Sequence, residues 1–180
     1  VEALHPAGGA ATLLVFATWL ARSYAPGDWT IAIAFAALFV VFYLAAPLVA
    51  ARAQRPFEVL GARAAYAAPL VLFVFPVITR IEPAVSTPGV FFGTLFVLLG
   101  LIVWRAMASR ESALYFVAAF FTVAAEGTWS ATFLTTETLG RAIALYAVFG
   151  VFYLGVPIMA RRLGRALQPA WGAGAVLIAS

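Results

Sequence analysis

Residues 32–52 read AIAFAALFVVFYLAAPLVAAR and residues 142–162 read AIALYAVFGVFYLGVPIMARR, with 12 of 21 positions identical at a constant offset of 110. The shared core is V-F-Y-L-x-x-P, Val41 to Pro47 and Val151 to Pro157. Working outward at the same offset, Thr12, Thr18, Trp19 and Ala21 match Thr122, Thr128, Trp129 and Ala131, and Arg55 matches Arg165. Apolar segments resemble one another by composition, but composition does not align Trp, Tyr, Pro and Arg at one spacing. The chain therefore reads as a parallel internal repeat of about 110 residues. The register drifts after Arg165, where Pro56 pairs with Pro169.

Each quoted stretch is long enough, as a helix, to cross a hydrocarbon core of about 30 Å. The whole chain has the same character. Of its 180 residues 65% are hydrophobic and 10% charged, and the mean hydropathy is +1.04. A water-soluble domain of this size cannot hide so much apolar surface, so the expected solvent is a lipid bilayer. The 11 basic residues are all Arg against 7 acids. They lie between apolar runs, where membrane orientation accounts for them and nucleic acid is not an expected partner. There is no Cys, which excludes disulfides, thiolate nucleophiles and zinc–thiolate sites. His5 is the single histidine, so no cluster of histidines can form, and no metal or cofactor is expected.

The sequence predicts an all-α, polytopic transmembrane helical bundle. Six full spans are expected at about 6–22, 29–51, 57–79, 88–106, 112–133 and 141–160, and a truncated seventh begins at Pro169. Outer-membrane strands would alternate apolar and polar residues, which FAALFVVFYLAAPLVA does not. Asp28 and Thr87 stand at N-cap positions. Pro47 and Pro157 each crowd the carbonyl of the tyrosine four residues earlier and predict a duplicated kink. With Pro69, Pro76 and Gly61, the third span should be the most irregular and face the bundle interior. Residues 1–110 form one four-helix unit and 111–180 a second, incomplete one. The start at Val1, and the stop at Ser180 inside an apolar run, read as an internal piece of a longer protein.

Eight arginines (52, 55, 63, 105, 110, 161, 162 and 165) follow the even-numbered spans, and three (22, 80 and 141) lie at the opposite ends. By the positive-inside rule the N-terminal end is cytoplasmic. Because four spans per unit is an even number, the two copies share one orientation, unlike the inverted repeats of many transporters.

Few residues offer chemistry. Glu126 lies well inside the fifth span, where a carboxylate costs about 2.5–3.5 kcal/mol unless it is protonated, paired or wetted. With Thr122 and Thr128 it forms a candidate intramembrane polar site for a proton, a cation or a polar substrate group. The structural alternative is a carboxyl that snorkels outward or bonds to either threonine or a neighbouring helix. Its counterpart in the first copy is Phe16, so the architecture does not demand an acid there. Trp19, Trp129 and Trp29 suit an interfacial aromatic belt, with stacking on a sugar or lipid headgroup as the competing role. Asp28, Glu82 and Glu137 are outer-loop acids, of the kind that serve as bases in membrane glycosyltransferases and equally as caps and solubilising groups. Nucleotide-binding, zinc-hydrolase and serine-hydrolase motifs are absent from the sequence.

The duplicated F-Y-L-x-x-P-x-x-x-x-R helices, the short Arg-marked loops and the recurrent Trp resemble the predicted bacterial membrane proteins of domain-of-unknown-function family 2339. The resemblance covers essentially the whole chain and implies a slice of a very long, many-spanning protein built from repeated helical units. It brings no established activity and no catalytic residues. The expected protein is a multi-pass component of the bacterial inner membrane, without catalytic residues of its own, acting as an envelope scaffold or a handler of lipid or polymer intermediates. Its partners would be the bilayer and other helices, of the same longer chain or of partner subunits. The rivals are a transporter built on Glu126 and a membrane-embedded glycosyl- or acyltransferase.

Overall fold

A computed structural model describes residues 4–54, 57, 63–168, 172, 175 and 176. Among them there is no strand, and six long helical rods follow one another: α1 Leu4–Arg22, α2 Trp29–Arg52, α3 Ala64–Ile81, α4 Gly89–Ser109, α5 Ser112–Phe133 and α6 Leu139–Arg162. Five of these are long and apolar enough to cross a membrane; α5 is long enough but falls short in apolarity. The difference has a local cause. Thr122, Glu126, Thr128 and Ser130 all lie on α5, and a helix enclosed by other helices can carry polar groups that one facing lipid cannot. The seventh span, and Pro56 and Gly61, lie outside the described residues apart from isolated positions of the former.

Turns connect the rods tightly, and several backbone bonds recur 110 residues apart. Asp28 N–H donates to Ala25 O, as Thr138 N–H does to Thr135 O. Ala53 N–H donates to Val49 O, as Leu163 N–H does to Met159 O. Each of these two helices then ends on a left-handed residue, Gln54 at φ 59° and Gly164 at φ 65°. Helices α2 and α6 are both 24 residues long and continue through Pro47 and Pro157.

The third rod is irregular for a legible reason. It alternates 3-10 turns at Arg63–Tyr66 and Val71–Phe73 with α-helix at Ala67–Leu70 and Val74–Ile81. Pro69 and Pro76 cannot donate to the carbonyls of Ala65 and Leu72. Each of those carbonyls lies in the 3-10 turn just before its proline, where bonding shifts to a shorter spacing. As expected of irregular backbone at depth, this is the most buried of the five apolar rods.

Around α3 the bundle closes. Helix α5 packs on α3 and α4, α2 packs on the same two, α6 lies along α4, and α1 meets the start of α3. The buried face of α5 is Leu114, Tyr115, Ala118, Ala119, Thr122, Ala125, Glu126 and Trp129. That spacing of three and four keeps one stripe on the neighbours, and its alanines admit close backbones. Aromatic edges then link four helices: Phe75 meets Phe91 at 5.0 Å, and Phe92 meets both Trp129 at 6.2 Å and Phe149 at 6.1 Å.

Candidate functional site

The polar groups of the bundle converge on one short segment of α5, Glu126-Gly127-Thr128-Trp129-Ser130. Each of its four side chains reaches another element of the fold. Glu126 is 2% exposed, and its Oε1 accepts a bond from the Tyr153 hydroxyl of α6 at 3.1 Å. The Thr128 hydroxyl lies 2.6 Å from that of Thr79 on α3 and also bonds the Ala124 carbonyl of its own helix. Trp129 is fully buried, and its Nε1–H donates to the Val85 carbonyl at 2.9 Å, in the turn before α4. The Ser130 hydroxyl pairs with that of Tyr146, about two turns before Tyr153 on the same face of α6. Successive partners therefore come from α6, α3, the α3–α4 turn and α6 again.

This arrangement corrects one expectation. Trp129 is not a belt anchor: its indole sits inside the bundle, because its N–H satisfies a buried carbonyl and its ring fills the space beside Phe92. Trp19 and Trp29 are half-buried, and Trp19 stacks on Phe16 at 6.0 Å. Phe16, the counterpart of Glu126, packs against Phe35 and Phe73 instead of bonding a tyrosine. Glu126 does not snorkel and does not bond Thr122 or Thr128. Thr122 bonds back to Ala118 O. The Glu126 Oε2 and the Tyr115 hydroxyl are buried without a hydrogen-bond partner among the described residues.

The three loop acids take three different places. Glu82 is 4% exposed and accepts three bonds: from Gly27 N–H at 2.7 Å and the Tyr24 hydroxyl at 2.8 Å on Oε2, and from Ala84 N–H at 3.1 Å on Oε1. Burial raises its pKa, but the bonds from Gly27, Tyr24 and Ala84 together outweigh that and hold the carboxyl below its ordinary value. Burial, reinforced by the Glu82 carboxylate, pushes the Tyr24 hydroxyl above its usual range, so it stays a donor. Asp28 stands at the N-cap position of α2, but its side chain makes no cap bond. Its backbone is in the αR region, and Oδ2 accepts instead from Ala25 N–H at 3.0 Å. Glu137 is exposed. No group of three or more His, Asp or Glu side chains converges among the described residues.

Sequence reasoning selected Glu126, Thr128, Trp129 and Glu82 but missed Ser130, Tyr146, Thr79 and Tyr24. A usable signal was present: four polar-capable side chains in five residues of an apolar span call for partners, and hydroxyl-bearing residues on neighbouring spans are the side chains most able to supply them. Comparison with family models, with curated proteins and with solved structures finds no match to the chain.

Proposed function

We propose that the chain is a non-enzymatic, helix-bundle module of a multi-pass bacterial inner-membrane protein, acting as a scaffold or as a handler of lipid or polymer intermediates. The observation that carries this reading is the engagement of the polar side chains in the framework. Glu82 holds three donors, Trp129 and Thr128 each bond another element, and Asp28 closes its own turn. The outward faces carry Leu14, Leu38, Val97, Phe120 and Val151, a surface suited to acyl chains. In this reading α5 spans the membrane as the other five rods do, shielded by its neighbours. The arginine asymmetry supports a cytoplasmic N-terminal end. The recurrence of turn bonds at a spacing of 110 supports a parallel repeat of the kind suggested by the likeness to family 2339.

A transporter reading is favoured by one observation, the free Oε2 of Glu126. The two readings separate in a deletion strain complemented with Glu126→Gln, Asp28→Asn and Glu137→Gln, each checked for membrane level and thermal stability. A scaffold predicts that all three complement. A stable Glu126→Gln that fails moves the assignment to transport, and a stable Asp28→Asn or Glu137→Gln that fails moves it to group transfer.

A further inference from the structure

Helices α4 and α6 begin at the same end of the bundle and leave between them a groove of about 590 Å³, within the size range of small-ligand sites. Its walls are apolar: Phe92, Gly93 and Phe96 from α4, Leu145, Val148 and Phe149 from α6. Gly93 makes the floor low, since a Cβ there would meet nothing within 4 Å. One charged side chain, Arg141, lines the groove and stands at its mouth, in the first turn of α6.

Two features of that arginine bear on what the groove can hold. Its guanidinium is exposed and has no hydrogen bond or ion pair among the described residues, Glu137 included. It also stands at the positive end of the α6 dipole, beside the start of α4, and neither helix has an acid in its first turn. Three sources of positive potential thus meet at the open end of an apolar trough. The complementary ligand has an anion at one end and a hydrocarbon at the other.

We propose that this groove binds an anionic bilayer phospholipid, its acyl chain along the phenylalanine-lined walls and its phosphate at Arg141. The inference rests on the reading of the chain as a lipid-embedded module and gives that module a preferred lipid. A zwitterionic lipid fills the trough equally well but gains less at its mouth, so the discrimination lies in Arg141 and the occupancy in the trough.

The test is native mass spectrometry of the full chain released from nanodiscs of equimolar phosphatidylglycerol and phosphatidylcholine. The parent should retain the anionic lipid in roughly fivefold preference, the increment expected of one arginine near an anionic surface. Arg141→Gln should bring the ratio close to one while total retained lipid persists. Gly93→Phe, which fills the trough without a backbone clash, should lower retention of both lipids. Arg80→Gln, an arginine in the last turn of α3 that is not part of the groove, should change nothing. Equal retention by the parent overturns the headgroup assignment, and a preference that survives both Arg141→Gln and Gly93→Phe overturns the site. Failure of the scaffold reading shows instead as a complementation defect of Glu126→Gln, which leaves these ratios untouched.

Discussion

Replacing Glu82 by glutamine tests whether a single carboxylate holds the α1–α2 turn against the end of α3. In the parent, Oε2 receives Tyr24 and Gly27 while Oε1 receives Ala84. A glutamine can put its carbonyl oxygen where Oε2 was, but its NH2 then faces the Ala84 N–H, donor against donor. One charge-assisted bond is lost, at about 1.5–3 kcal/mol, and two others become neutral and weaker. The expected destabilisation near neutral pH is about 2–4 kcal/mol. Tyr24→Phe removes one of the same bonds, so the double variant should lose less than the sum of the single losses. The pH dependence has a definite sign. A carboxyl whose folded-state pKa is depressed stabilises the fold above its unfolded pKa, and that contribution is lost as pH falls through the folded value. Parent and Glu82→Gln should therefore differ most at neutral pH and converge below the ordinary carboxylate range. The measurement is reversible unfolding in mixed micelles with a denaturing detergent, across pH. A neutral-pH difference under about 0.5 kcal/mol, or one that persists unchanged in acid, would refute the clasp, since a lost charge-assisted bond alone exceeds that.

Two further outcomes follow from the same geometry. Trp129→Phe leaves the Val85 carbonyl buried without its donor and should cost about 1–3 kcal/mol in the same unfolding assay, with the α3–α4 turn exchanging amide hydrogens faster. Gln54→Gly relieves a left-handed backbone position that Gly164 already fills with glycine, and should stabilise by about 0.5–1 kcal/mol; the reverse change, Gly164→Gln, should cost a similar amount.

The helices were legible because transmembrane segments declare themselves by length and apolarity, and the prolines of α3 declared its irregularity. Partner choice was not legible. Trp129 and Trp19 occupy matching sequence positions, yet one is enclosed and the other half-buried, because α5 has α3 and α4 on either side and α1 lies at the edge. Hydropathy reports how apolar a helix is and not which neighbours it will have. Glu126 stands out in the sequence as an acid inside an apolar span, but its partner Tyr153 stands out only as the tyrosine four residues before Pro157. Glu82 looked like any loop acid, since nothing local to it reveals that Gly27 sits 55 positions back.

The bonds that close the bundle also set an order of events. Tyr24 waits for Glu82, Thr79 for Thr128, and Val85 for Trp129, across separations of 58, 49 and 44 residues. The α1–α2 turn can therefore fasten to the end of α3 as soon as Glu82 has emerged, whereas Thr79 and the Val85 carbonyl stay without their partners until α5 arrives. Yet α5 carries Glu126, Thr128 and Ser130 within one short stretch of an apolar helix, groups that are costly to place in lipid without partners. Thr79 and the Val85 carbonyl are ready for it when it enters, while its Glu126 and Ser130 wait in turn for Tyr153 and Tyr146 of α6. An insertion machinery that releases α1 to α4 too early would strand the keystone outside the arch it completes.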